Sequence, residues 1–227
     1  MKKIEFNKKL SLAALIIGLM LPSFVQAQES NFGNWLIYIG NKKINPTWNI
    51  HHEVQYRNYN VIGDLEQLLL RTGLGYSFNE SKNNVLLGYG YILSENYTGI
   101  GDDKTSINEH RIFQQFTSKQ KVGTVQLNHR YRFEQRFVES DFKLRFRYFL
   151  GFSIPLFNSE ENKNNLYLSA YNEIFLNTES AVFDRNRVFG GMGYHVNKNI
   201  RLEVGYMNQF FEKSSRDQLN IITYVNF

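Results

Sequence analysis

Residues 217–227 read DQLNIITYVNF. Side chains of an extended strand alternate between its two faces. Leu219, Ile221, Thr223, Val225 and Phe227 therefore share one face, and Gln218, Asn220, Ile222, Tyr224 and Asn226 share the other. One face is mostly apolar, the other mostly polar, and the chain closes on an aromatic residue. The same period recurs upstream. Val125, Leu127, His129, Tyr131 and Phe133 oppose Gln126, Asn128, Arg130, Arg132 and Glu134. Phe142, Leu144, Phe146, Tyr148, Leu150, Phe152 and Ile154 oppose Lys143, Arg145, Arg147, Gly151 and Ser153.

Residues 1–27 have a different character. Lys2, Lys3, Lys8 and Lys9 precede a mainly apolar run, 10–25, interrupted by Pro22, and Val25-Gln26-Ala27 suits a signal peptidase. The run is short of the ~20 apolar residues of a spanning helix. The expectation is a cleaved Sec signal peptide over 1–27 and one domain over 28–227. The 227-residue chain holds 26 basic and 21 acidic residues. Subtracting the four lysines and one glutamate of the leader leaves 22 against 20, a net charge of +2. The basic character is thus largely the leader's, and nucleic acid is not an expected partner. With no cysteine, an exported fold must be held by burial or by a closed hydrogen-bond ladder.

About eleven strands emerge, near the length a tilted membrane-crossing strand needs, and no stretch sustains a helical period. The expected fold class is all-β, an antiparallel transmembrane β-barrel of about 10–12 strands. Short polar turns alternate with longer loops in this reading. Bacterial single-chain barrels use an even strand number. Ten strands with the Asn34 segment set apart, or twelve with one more strand, restores that parity.

Two features point the apolar faces at lipid rather than at a dry centre. Aromatics gather toward strand ends, at Trp35, Trp48, Tyr76, Phe78, Phe133 and Phe142, as in interfacial girdles. Glycines sit on the polar faces, at Gly73, Gly75, Gly88, Gly90, Gly151, Gly191, Gly193 and Gly205, where they relieve crowding in an arginine-rich lumen. The closing strand resembles the terminal signal of Gram-negative outer-membrane proteins. That resemblance implies the cell outer membrane as location, with its lipids and the barrel-assembly machinery as partners, the latter through Phe227. From Asn34 onward the chain also resembles the uncharacterised domain-of-unknown-function family 2490, Bacteroidetes-type. The residues that carry this are Trp35, Asn41-Lys42-Lys43, Trp48, Glu53-Val54-Gln55-Tyr56-Arg57, Glu109-His110-Arg111, Gln114-Gln115, His129-Arg130-Tyr131-Arg132, Glu134, Arg145-Phe146-Arg147-Tyr148, Tyr171-Asn172-Glu173 and Arg185-Asn186-Arg187. The resemblance implies location and fold, not chemistry.

The chemistry that stands out is interior charge: Glu53, Arg57, Arg71, Arg130, Arg132, Glu134, Arg145, Arg147, Glu173, Arg187, Arg201 and Glu203. Pairing across a 135–140 loop places Arg132 near Arg145, Arg130 near Arg147 and Glu134 near Lys143. Opposed like charges destabilise a sheet, so carboxylates must compensate, and Glu173 falls beside Arg147. Glu53, Glu109 and Glu203 are further partners. Such a set either plugs a narrow barrel or forms a basic strip for anions. A structural barrel or a narrow anion-tolerant pore is therefore expected. The rival is a lipid-modifying hydrolase, for which His110, His129 and His195 are the late-strand histidines. None has a His-x-Ser neighbour, and Gly-x-Ser-x-Gly is absent. His51 and His52 point to opposite faces and cannot share a metal within one strand. No catalytic residue, metal ligand or cofactor is assigned.

Overall fold

The computed structural model describes residues 32–227 except 62, 100, 157–164 and 180. The expected signal segment lies outside the described residues. Eleven strands follow one another: β1 (Gly33–Lys43), β2 (Trp48–Asn58), β3 (Leu65–Phe78), β4 (Asn83–Tyr97), β5 (Lys104–Val122), β6 (Val125–Val138), β7 (Asp141–Pro155), β8 (Leu166–Asn177), β9 (Phe183–His195), β10 (Ile200–Phe210) and β11 (Ser215–Asn226). They form one closed barrel in chain order.

Neither repair of the strand number is needed. The Asn34 segment is a wall strand, and the odd count closes by parallel pairing of β1 with β11, from Gly33↔Gln218 to Asn41↔Asn226. Every other neighbouring pair is antiparallel. Closure gives both edges a partner, so no open ladder remains. Gly33 and Phe227 consequently sit at opposite rims. The expected alternation of short turns and long loops does not hold. Two-residue turns occur at both rims, between β5 and β6 and between β6 and β7, and the longest connection, 156–165, is at the Phe227 rim.

The barrel is inside out compared with a protein folded in water. Among the described residues, twenty buried side chains are polar or charged and only eleven are large and apolar, while thirty-one large hydrophobics are exposed. Leu36, Val54, Leu70, Leu74, Leu87, Ile112, Phe146, Met192 and Val204 stand on the outer wall. The alternate positions of the same strands point inward.

On the outer wall six rings touch in series: Trp48–Tyr76, Tyr76–Phe78, Phe78–Phe116, Phe116–Tyr131 and Tyr131–Tyr148, at centroid separations of 4.9–6.5 Å. Trp35 does not belong to this belt. It is 2% exposed, inside the barrel, under the guanidinium of Arg57 at 3.7 Å. β1 carries apolar residues on both faces, so alternation alone could not say which way Trp35 points.

The lumen glycines make room chiefly for rings rather than for arginines. A Cβ on Gly193 meets the Tyr167 ring at 2.0 Å, and one on Gly88 meets Phe113 at 2.3 Å. Gly191 and Gly205 pair across β9 and β10 with Phe189 against both. A Cβ at Gly205 lies 2.5 Å from the Gly190 carbonyl oxygen, and backbone cannot swing aside.

Candidate functional site: the lumen charge network

Period two sends Arg130, Arg132 and Glu134 of β6, Arg145 and Arg147 of β7, Glu173 of β8 and Arg187 of β9 inward. Glu134 is fully buried at their centre. It accepts from Arg145 Nε and Nη2 at 2.9 and 2.6 Å and from Arg147 Nη1 at 2.7 Å, with Arg132 Nη1 at 3.7 Å. Arg147 also donates through Nε and Nη2 to Glu173 Oε1, at 3.1 and 2.6 Å. Arg130 Nη2 donates to the same oxygen at 2.7 Å. One arginine fork thus bridges two buried carboxylates through charge-assisted bonds, which are roughly twice as strong as neutral ones.

The register differs from the expected one. The β6–β7 turn is only Glu139-Ser140, so Arg132 faces Arg147, Glu134 faces Arg145, and Lys143 faces Arg136. Arg130 faces Phe149 rather than Arg147. Glu139 adopts φ 51° without being glycine. Residues 135–138 before it are strand, not loop.

Two further clusters complete this half of the lumen. Glu109 accepts from Arg111 at 2.6 and 2.8 Å and from Arg136 at 2.5 and 3.0 Å. Glu53 accepts from Arg71 at 2.7 Å and contacts Gln55. Asp184 takes a further bond from Arg145 at 2.9 Å.

Arg201 and Glu203 sit apart, toward the Phe227 rim. Arg201 stacks on Tyr224 at 3.8 Å. Glu203 accepts from Tyr167 at 2.8 Å and Ser169 at 3.2 Å.

Aromatic floors carry the guanidinium groups, a feature the face-by-face reading missed. Arg147 and Arg187 lie over Phe175 at 4.3 and 4.5 Å, Arg132 over Phe113 at 4.5 Å, and Arg130 over Phe149 at 4.5 Å. The signal was present. Arg111-x-Phe113, Arg147-x-Phe149, Glu173-x-Phe175 and Arg187-x-Phe189 each place a ring two residues beyond a charge, hence on the same face. Phe113, Phe175, Phe189 and Met207 are at most 1% exposed. With Glu134, Gln218 and Asn220, each 0% exposed, they fill the barrel's middle.

The histidines do not assemble a nucleophile. His110 Nδ1 and Tyr89 Oη lie 2.6 Å apart on the outer wall, and His129 Nδ1 and Tyr148 Oη 2.9 Å apart. The register puts Ser118 opposite His129, but no Ser–His hydrogen bond forms among the described residues. His195 packs on the Tyr167 ring inside.

Residues 32–220 match the family model described as protein of unknown function, DUF2490. The chain belongs to this family. An uncharacterised protein of Methylorubrum extorquens is 31% identical over 166 residues, covering 69% of each chain. No solved structure matches the chain. Family membership brings no established chemistry, so the geometry must carry the functional reading.

Proposed function

We propose that this DUF2490 chain is an outer-membrane β-barrel whose lumen is sealed by its own arginine–glutamate network, a structural wall element rather than an open pore. One observation carries the reading: charge is buried and hydrocarbon is exposed around the circumference. In water, exposing so much contiguous apolar surface drives association. In lipid it is the stable arrangement, because a closed barrel satisfies its backbone groups internally and needs only one greasy face.

The polar groups on the outer wall support this. Gln114 and Gln135 bond each other reciprocally at 3.3 and 3.2 Å, as do Asn172 and Asn186 at 2.7 and 3.4 Å. Side chains that pair with one another suit a surround that offers no water. The ring belt from Trp48 to Tyr148 suits a headgroup boundary. Export by the Sec route and recognition of the Phe227 strand by the assembly machinery complete the proposal. The filled middle favours a closed barrel over the anion-tolerant pore. The tyrosine-engaged outer histidines weigh against the lipid hydrolase.

Fractionation of expressing cells tests the location. The protein is expected in the outer-membrane fraction, with a folded band that migrates faster until the sample is boiled. Recovery in the soluble periplasmic fraction, with mobility indifferent to boiling, contradicts it.

A further inference from the structure

We infer that the lumen mouth away from Phe227 is a binding site for a small, multiply charged oxyanion of the phosphate type. A cavity of about 210 Å³ opens there, lined by eight arginines and a single acid, Glu109. Pockets for drug-sized ligands run to about 300–1,000 Å³, so the occupant is a smaller group, and a phosphate fits within the space.

The carboxylates near this mouth each have an arginine partner, Glu66 through one oxygen to Arg216 at 2.6 Å. Glu109 serves Arg111 and Arg136, Glu53 serves Arg71, and Glu134 serves Arg145 and Arg147. Arg57 and Arg187 are left short of counter-charge. Both are 6% exposed. Arg57 has no carboxylate within 4 Å among the described residues. Its three bonds go to the neutral oxygens of Gln55 and Gln67, at 2.6–3.0 Å. Arg187 donates to Gln209 at 2.7 Å and comes no closer to Glu173 than 3.9 Å. Each guanidinium carries five N–H donors, so both forks keep donors unspent. Both also lie over the Trp35 ring, at 3.7 and 4.8 Å, which holds them at the same end of the cavity.

A buried charge without a partner is costly. An oxyanion entering from the mouth supplies the missing charge and acceptors, and guanidinium forks match its geometry. The group could be free in solution or borne on a lipid headgroup that reaches over the rim. The chemistry is the same.

The test uses the mature barrel refolded in a phosphate-free amine-oxide detergent, with inorganic phosphate and dihexanoyl phosphatidate as probes and sodium chloride at matched ionic strength as control. Both phosphate probes are expected to raise the unfolding temperature saturably where chloride does not. Arg57→Gln with Arg187→Gln is expected to weaken the response tenfold or more, and Lys198→Gln at the opposite mouth to leave it unchanged. A response at tenfold lower phosphatidate than phosphate assigns the headgroup source, and equal responses assign the free ion. Wild-type shifts no larger than those from chloride overturn the site, as does an unaltered response in the double variant. Should that variant fail to refold, the wild-type comparison with chloride still decides. Boiling-dependent gel mobility, read in parallel, separates failure of the site from failure of the barrel.

Discussion

Replacing Glu134 with alanine is expected to destabilise the barrel by about 3–5 kcal/mol, the usual result of breaking a buried ion pair from one side. Glu134 is 0% exposed, and Arg132, Arg145 and Arg147 converge on it. Its removal leaves three buried guanidinium groups facing one another, with Glu173 and Asp184 as their remaining acids. Water reaches the position poorly, because buried Phe113 is paired with Glu134 across β5 and β6 and buried Phe175 lies under Arg147. The measurement is urea unfolding of the refolded barrel, with Glu80→Ala beside it. Glu80 pairs with Lys82 in an exposed turn and is expected to stay within about 0.5 kcal/mol of wild type. A Glu134→Ala cost below about 1 kcal/mol, the range of a solvated surface pair, would mean the network is wet.

Val204→Arg carries the second large effect, and it reads the opposite face. Val204 lies near the middle of β10, 50% exposed, with Ile221 and Met192 as its cross-strand neighbours. In a bilayer, arginine near the midplane of a barrel wall costs about 2–4 kcal/mol. On a water-exposed wall the same substitution stays within about 0.5 kcal/mol. Unfolding in phosphatidylcholine vesicles, with Glu212→Arg in the β10–β11 connection as control, separates the two. A Val204→Arg cost no larger than the control's would place β10 in water.

The faces of the strands were legible because an inside-out barrel writes its orientation into every second residue. From β2 to β10, Leu74 against Arg71 or Phe146 against Arg147 marks which side is exposed and which is buried. Legibility failed where that contrast vanished. β1 is apolar on both sides, so its pattern allows Trp35 a girdle position that the buried ring does not take. The β6–β7 register slipped because the sequence carries no glycine at the tight turn. Closure was out of reach for a physical reason. Parallel pairing of β1 with β11 joins segments some 185 positions apart, as between Gly33 and Gln218, and no local pattern encodes it. The site was half visible. Which residues point inward follows from parity, but the deficit of counter-charge at Arg57 and Arg187 depends on where five separate strands deliver their carboxylates.

The chain has two tryptophans, and they stand on opposite sides of the wall: Trp35 inside at 2% exposure, Trp48 outside at 40%. Quenching by phospholipids brominated along their acyl chains therefore reads the orientation directly. Strong quenching of Trp48 in the Trp35→Phe variant, and almost none of Trp35 in the Trp48→Phe variant, is the result expected of a lipid-facing outer wall. Trp48 fluorescence indifferent to bromine, in vesicles that retain the protein, would contradict it.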